Sequence, residues 1–261
     1  MTGSAGTLYR RGDSFVHRAH PMTKLLYAGA MTAYSLLITQ LAGLAVLAVS
    51  VCLVLGLAGV GRAFLRSVAR YLVLLGLFLL IIQGIFYQGP STILWDVGPV
   101  SFKTVGVAVT AGMILRIFTM VASFFVVILT THPSELVQAL EQAGASPKVG
   151  YLLLATLQLS PEMVERAGRI IDAQRSRGLR TDGSVFLRLR GLVPLVAPLF
   201  YGSLMSVEAK AMALTARGFF IVGRKKTWLQ ELDRAPWESG LRLLLVAVLI
   251  VIVVLRVAGW V

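Results

Sequence analysis

Long uninterrupted apolar stretches constrain the fold of this chain more than any other feature. A bilayer core offers no water to backbone amides, so a membrane-spanning helix needs about 20 predominantly apolar residues. Several stretches reach or approach that length, which predicts an all-α integral membrane protein. The predicted transmembrane helices are Leu25–Thr39, Leu41–Gly59, Ala69–Tyr87, Thr104–Thr130 and Leu241–Ala258, with a tight turn near Gln40 between the first two.

Composition supports a membrane protein, because 57% of the residues are apolar, 14% are charged and the mean hydropathy is +0.80. The net charge of +13 is also typical of nucleic-acid binders. The basic residues of this chain, however, concentrate beside the apolar stretches. The cytoplasmic flanks of membrane helices carry Lys and Arg at the same positions. The basic, Trp-bearing segment 223–237 is likewise interpreted as a membrane-surface anchor. We therefore predict contact with membrane lipid and no nucleic-acid partner.

The distribution of basic residues also predicts the orientation. Short basic flanks precede the first stretch and separate the second from the third, so both flanks are expected inside the cell. Segment 88–103 is then a short outer loop, and segment 131–240 is cytoplasmic. The predicted organisation is 1–130 for the N-terminal tail and four transmembrane helices, 131–240 for amphipathic coupling helices, and 241–261 for one C-terminal transmembrane helix.

No reactive constellation is apparent. The single cysteine, Cys52, excludes an intramolecular disulfide and a thiolate metal cluster. The sequence has no His-Glu-x-x-His zinc motif and no phosphate-binding loop, so we expect no ATP hydrolysis by this chain. The three histidines, His17, His20 and His132, are interpreted as interfacial polar residues. The sequence thus predicts a protein that is not an enzyme, without catalytic residues, cofactor or metal site.

Proline and glycine divide the cytoplasmic segment into helices. Pro133 is expected to start a short helix that Gly144 ends, and Ser146-Pro147 to open the next. Ser160-Pro161 is expected to break or kink that second helix. A third helix, limited by Pro194 and Pro198, is predicted from about Leu199 to Ala216.

The amphipathic helix that follows Pro161 carries two oppositely charged pairs at i,i+4 spacing. Glu162 with Arg166, and Glu165 with Arg169, are predicted to pair on its outer face. The helix is therefore expected to lie along the membrane interface with its apolar face inward.

The second and third cytoplasmic helices are predicted to end alike, at Ser176-Arg177-Gly178 and Ala216-Arg217-Gly218. An apolar residue follows each, Leu179 or Phe219. Glycine permits the left-handed conformation that closes a helix, and the helix dipole favours arginine there by about 0.3–1 kcal/mol. Capping alone could therefore explain one such end. Two matching ends favour a functional role, since arginine makes bidentate contacts with a partner's carboxylate.

With these residues the sequence resembles the transmembrane T component of energy-coupling factor (ECF) transporters, the EcfT/CbiQ family, which imports vitamins or transition-metal ions. The resemblance covers almost the whole chain. It rests on Pro21-Met22-Thr23-Lys24-Leu25-Leu26, on Thr130-Thr131-His132-Pro133-Ser134-Glu135-Leu136 and on the two Arg-Gly ends. The sequence departs from the family at His20 and Met22, where Asp and Arg are usual.

The resemblance implies that Ser176, Arg177, Gly178, Ala216, Arg217 and Gly218 couple the chain to two cytoplasmic ABC ATPase subunits. ATP would be hydrolysed by those partners, and a separate substrate-binding S component would select the cargo. It further implies a multi-pass protein of a bacterial or archaeal cell membrane.

The alternative is a self-contained secondary transporter or channel. Such proteins place charges or broken helices within the membrane. Only Arg116 is charged in the middle of a predicted span. It could snorkel, meet backbone carbonyls or pair with another subunit, and the sequence leaves these roles open.

Overall fold

The computed structural model describes residues 12, 14–86, 93–97, 100–178, 185–221 and 235–258. Apart from one β-hairpin, the ordered elements in these ranges are helices, so the predicted all-α membrane fold is confirmed. The helices are α1 Phe15–Arg18, α2 Pro21–Leu37, α3 Leu41–Leu57, α4 Gly61–Phe86, α5 Thr104–Thr130, α6 Pro133–Gln142, α7 Pro147–Ser176, α8 Val185–Ala216 and α9 Pro236–Val257.

The hairpin consists of β1, Ile93–Val97, and β2, Val100–Lys103, which pair antiparallel with Asp96 opposite Ser101. It occupies the segment that the sequence predicted as an irregular outer loop. β-branched and aromatic residues in both strands favour this ribbon, because strands prefer those residue types.

Within the described residues, three helical segments are long and apolar enough to cross a membrane by length and composition, namely Gly61–Gln83, Val105–Thr130 and Pro236–Val257. Helices α2 and α3 have 17 residues each, and the chain turns between them at the predicted position near Gln40. Gln40 occupies the N-cap position of α3 without a side-chain capping hydrogen bond. The last helix begins at Pro236, before the predicted Leu241. The added residues include Glu238, whose side chain is buried.

The described residues fall into two compact units. One contains residues 14–145 and 235–258, with α5 at its centre packed against α2, α3 and α4, and α9 packed on α2. Phe64 lies in its core and makes edge contacts with Phe118 and Phe125, at ring-centroid distances of 5.8 and 5.5 Å. This unit therefore has a continuous apolar core.

The second unit contains residues 146–178 and 185–221, in which α7 and α8 pack together. Both helices continue through proline, α7 at Pro161 and α8 at Pro194 and Pro198. The predicted start of α8 near Leu199 was therefore wrong. A proline interrupts one or two backbone hydrogen bonds at a cost of about 3 kcal/mol, whereas ending a helix exposes four carbonyls and four amides. Continuing the helix satisfies more backbone groups.

Candidate functional site

The arginine-containing end of α7 is closed by its own backbone. The N–H of Arg177, the C-cap residue, donates to Gln174 O at 3.0 Å, and Gly178 N–H donates to Arg175 O at 2.9 Å. Gly178 has φ +90°, and a Cβ placed there would meet nothing within 4 Å. Glycine is thus required at this position by backbone conformation and not by lack of space.

The end of α8 forms a complete Schellman motif. Phe219 N–H donates to Leu214 O at 3.0 Å, Gly218 N–H donates to Thr215 O at 3.0 Å, and Gly218 has φ +71°. These two bonds satisfy carbonyls that the last helical turn leaves open. The predicted helix ends at Gly178 and Gly218 are therefore confirmed.

The same closure occurs where no arginine is present. Helix α3 ends at Ala58-Gly59 and α6 ends at Ala143-Gly144, with φ values of +69° and +112° at the two glycines. Alanine occupies the C-cap position there, where α7 and α8 have arginine. A glycine-closed end in this protein therefore does not need arginine for its backbone geometry.

Both arginine side chains point away from internal partners. Arg177 and Arg217 are exposed, and within the described residues neither guanidinium makes a hydrogen bond or ion pair. By contrast, Arg166 and Arg169 in the same unit each hold a glutamate. Each arginine-containing end thus presents free N–H donors beside a turn that Gly178 or Gly218 completes.

The packing of α7 against α8 places the two ends far apart. Arg166 Nη1 of α7 donates to Gly202 O of α8 at 3.0 Å, and the rings of Tyr151 and Phe219 lie 5.3 Å apart. The helices are therefore antiparallel, and the end of α8 lies beside the beginning of α7. About 26 residues separate Tyr151 from Arg177, which is roughly 39 Å along α7.

A charged bridge joins the two helices between these ends. Glu162 accepts hydrogen bonds from Arg166 at 2.5 Å and from Lys210 of α8 at 3.2 Å. These bonds lower the pKa of Glu162, with Lys210 contributing most. The predicted Glu162–Arg166 pair is confirmed, but it faces α8 and not the outer face, because Arg166 also reaches Gly202 O.

The second predicted pair of α7 does lie on an exposed face. Arg169 donates to Glu165 at 2.9 Å, and both side chains are largely exposed. Lys210, which completes the bridge at Glu162, was missed because i,i+4 spacing identifies partners only within one helix.

Two arginines in the other unit bind the C-terminal carbonyls of α2. Arg116 donates to Ser35 O at 2.6 Å and to Ile38 O at 3.1 Å. Arg256 of α9 donates to Leu36 O at 3.0 Å and to Leu37 O at 2.7 Å. Arg116 therefore meets backbone carbonyls, one of the roles that the sequence left open.

Of the histidines interpreted from the sequence as interfacial, His20 is buried within the protein, at 2% exposed. Its Nδ1 accepts the N–H of Met22 at 3.2 Å, so the imidazole caps α2 ahead of Pro21. His132 caps α6 in the same way ahead of Pro133, but it is exposed. The repeated His-Pro pair was the sequence signal for these caps.

Some predicted features lie outside the described residues. They are Leu179 after the first arginine-containing end, Arg10 and Arg11 of the N-terminal flank, and 222–234, most of the basic Trp-bearing segment. In the described residues, no group of three or more His, Cys, Asp or Glu side chains could hold a metal ion.

Comparison with known proteins gives concordant matches. Residues 12–228 match the model of the CbiQ family, described as "Cobalt transport protein". The energy-coupling factor transporter transmembrane protein EcfT of Streptococcus thermophilus is 29% identical over 225 residues, covering 81% of this chain and 83% of that protein. The EcfT protein of Brevibacillus brevis is 28% identical over 261 residues, covering 97% and 96% respectively. That of Exiguobacterium sibiricum is 29% identical over 254 residues, covering 94% and 96%.

Proposed function

This chain belongs to the CbiQ family of cobalt transport proteins, and from that premise we propose that it is the membrane scaffold through which cytoplasmic ATPases drive uptake. It is similar over most of its length to transmembrane components of ECF transporters. Two ABC ATPase subunits and a substrate-binding S component are its partners. The cargo is a vitamin or a transition-metal ion, and the S component determines which.

The observation that carries this proposal is the arginine at the C-cap of α7 and α8. Helices α3 and α6 close around glycine with alanine at that position, so Arg177 and Arg217 are not explained by capping. Both guanidiniums are exposed at the tips of their helices. Each is suited to a bidentate contact with a carboxylate in a groove of an ATPase subunit.

The spacing of the two tips suits a pair of separate partners. With roughly 39 Å of helix between the end of α8 and the end of α7, one subunit would receive Arg177 and the other Arg217. When the ATPases close on ATP, the two tips move with them and the motion reaches the membrane helices. The chain itself performs no catalysis and binds no cofactor in this scheme.

The competing function, a self-contained secondary transporter or channel, receives less support. Its best candidate for an intramembrane ion or substrate contact is Arg116, whose Nε and Nη2 donate to Ser35 O and Ile38 O. Because those bonds hold the C-terminal end of α2, they occupy donors that an ion or substrate site would need.

Co-purification and uptake test the proposal. We expect wild-type protein in mild detergent to retain two ATPase subunits and the S component, and to support ATP-dependent uptake in proteoliposomes. Arg177→Ala and Arg217→Ala should each lose about 2–5 kcal/mol of docking energy, because the partner carboxylate is left desolvated and unpaired. The double variant should lose the complex more completely, since two linked contacts reinforce each other.

Three further variants serve as controls. Arg169→Ala removes an exposed arginine from the same helix as Arg177 and should leave assembly unchanged. Arg177→Lys and Arg217→Lys should rescue only in part, because lysine lacks the planar fork. Normal uptake by the double alanine variant, or uptake by the chain without any ATPase, would refute the proposal.

The proposed location is the plasma membrane of a bacterium or archaeon, with segment 131–240 in the cytoplasm. A cysteine at position 165, introduced in a Cys52→Ala background, should react only with reagents that reach the cytoplasmic face. Labelling from outside intact cells would overturn this orientation together with the coupling scheme.

A further inference from the structure

Two buried charges, Lys24 and Glu238, make contacts around the first turn of α2. Lys24 is 4% exposed and Glu238 is 1% exposed. A buried charge is tolerated only when hydrogen bonds or an opposite charge compensate for lost hydration. What each charge binds therefore indicates what this turn holds together.

Lys24 holds the end of α5. Its Nζ donates to Thr130 O at 3.0 Å and to His17 O at 2.9 Å. Thr130 is the last residue of α5, so its carbonyl has no partner within the helix. From Thr130 the chain continues through α6 to Ser146, where the α7–α8 unit begins.

Glu238 holds the beginning of α9. Its Oε1 accepts the N–H of His20 at 3.0 Å, and its Oε2 accepts the hydroxyl of Thr23 at 2.7 Å. Arg242, one turn further along α9, donates to Thr23 Oγ1 at 2.7 Å and lies 3.6 Å from the carboxylate. Glu238 comes soon after the chain leaves the α7–α8 unit.

One turn of α2 therefore holds the end of α5 and the beginning of α9, the helix ends that precede and follow the α7–α8 unit in chain order. We propose that Thr23, Lys24 and Glu238 are positioning residues that make this turn a fixed joint, through which movement of α7 and α8 is delivered to the membrane helices. This inference rests on the proposed function, because it assumes that partner ATPases move α7 and α8.

The joint has the chemistry of a rigid connection. Thr23 Oγ1 donates to Glu238 and accepts from Arg242, so one hydroxyl links the beginnings of α2 and α9. The hydrogen bonds that join α9 to α2 are short-ranged and directional, so a small displacement of α9 relative to α2 breaks them. If the joint loosens, the α7–α8 unit can follow the ATPases while the membrane helices stay behind.

The test separates ATP hydrolysis from uptake in the reconstituted complex. Thr23→Val keeps the side-chain volume but removes the hydroxyl, and Glu238→Gln keeps the shape but removes the charge. For both variants we expect an assembled complex that hydrolyses ATP at nearly the wild-type rate, while uptake per ATP falls roughly 5- to 150-fold, the range typical of coupling energies.

Thr23→Ser provides the rescue, because it restores the hydroxyl that binds Glu238 and Arg242. It should return uptake per ATP to the wild-type value. Glu165→Gln is the matched control for Glu238→Gln, since it removes an exposed carboxylate from α7 and should leave the ratio unchanged.

Each outcome has a definite meaning. Wild-type uptake per ATP in Thr23→Val and Glu238→Gln would overturn the joint while leaving the proposed function intact. Loss of complex assembly in both, with Thr23→Ser assembling normally, would assign these residues to folding and also overturn it. A wild-type complex that lacks ATP-dependent uptake would instead refute the proposed function.

Discussion

The two compact units of this protein differ in how deeply their charged side chains are buried. In the unit of residues 14–145 and 235–258, Lys24 and Glu238 are buried, and Lys24 and Arg116 donate to main-chain carbonyls of another helix. In the α7–α8 unit, the salt bridges at Glu162 and Glu165 are partly or largely exposed. Buried polar contacts define one geometry, because a broken contact strands a charge or carbonyl without water.

Both compact units leave apolar side chains uncovered, and in the first unit Leu243, for example, is 73% exposed. The α7–α8 unit does the same. Leu152, Val164, Phe200 and Tyr201 are each more than 60% exposed. An apolar surface of this kind marks contact with a partner or a membrane. Exposed apolar surface is therefore common to both units. Among the described residues, the difference between them lies in the buried polar side chains, which belong to the first unit.

The largest expected effect comes from removing an internal contact of the first unit. Arg116→Leu should lower the free energy of unfolding by about 3 kcal/mol, because Ser35 O and Ile38 O lose a charged donor in apolar surroundings. Arg169→Leu, which removes an exposed pair, should cost less than about 1 kcal/mol. Thermal unfolding in detergent measures both. Equal losses would remove the contrast between the units.

A second pair of substitutions compares the same histidine cap at a buried and at an exposed position. His20→Ala should destabilise by about 2 kcal/mol, since it removes the acceptor for Met22 N–H and leaves a cavity at a buried position. His132→Ala removes the same cap at an exposed position and should cost about half as much. Chemical denaturation of the two variants should reveal this order, and the reverse order would show that burial does not set the cost.

Backbone strain gives the next effect, in the second unit. Gly178→Ala should destabilise the end of α7 by about 1 kcal/mol, because alanine disfavours the positive φ although nothing blocks its Cβ. Gly218→Ala should cost somewhat more, since the added Cβ would lie only 2.8 Å from Ile221 Cδ1 and that side chain would have to move.

The control for these two is Gly168→Ala in α7, where φ is not positive and no atom lies within 4 Å of the added Cβ. Alanine there should stabilise the helix by up to about 1 kcal/mol. Hydrogen exchange of the α7 and α8 amides measures all three, and destabilisation by Gly168→Ala would contradict the strain argument.

The smallest effect is expected from the exposed bridge between α7 and α8. Hydrogen bonds from Lys210 and Arg166 lower the pKa of Glu162, so its stabilising contribution is complete above the unfolded-state pKa of about 4.3. The contribution is lost as the pH falls through the lower folded-state pKa. Glu162→Gln should abolish this pH dependence of amide protection in the unit, and added salt should weaken it. If amide protection in Glu162→Gln falls with pH as it does in the wild-type protein, this prediction is wrong.

The sequence predicted local features well because their signals are local. Ser146-Pro147 opens α7, and Gly144, Gly178 and Gly218 each adopt positive φ at a helix end, since few other residues suit those backbone positions. The Arg-Gly ends were located correctly for the same reason. Their role in coupling remains a prediction, because exposure of Arg177 and Arg217 does not identify a partner.

The polar contacts between distant segments could not be predicted. Lys24 binds a carbonyl of Thr130, and Arg166 binds a carbonyl of Gly202. Main-chain carbonyls occur at every residue and so leave no mark in the sequence. The sequence placed Glu238 in the cytoplasmic segment 131–240, and its burial could not be predicted because the groups that it binds, on His20 and Thr23, are more than 200 positions away.

The cap that Arg116 and Arg256 place on α2 has a consequence for the surrounding lipid. Helices α2 and α3 have 17 residues each, which is about 25 Å, whereas the hydrocarbon of a typical bilayer is about 30 Å thick. With arginines covering the last carbonyls of α2, the turn at 38–40 can lie at the depth where acyl chains begin. This hydrophobic mismatch is relieved when the bilayer thins locally by several ångströms. We therefore expect this protein to recruit short-chain lipids around α2 and α3, so that bilayer thickness becomes a variable of its activity.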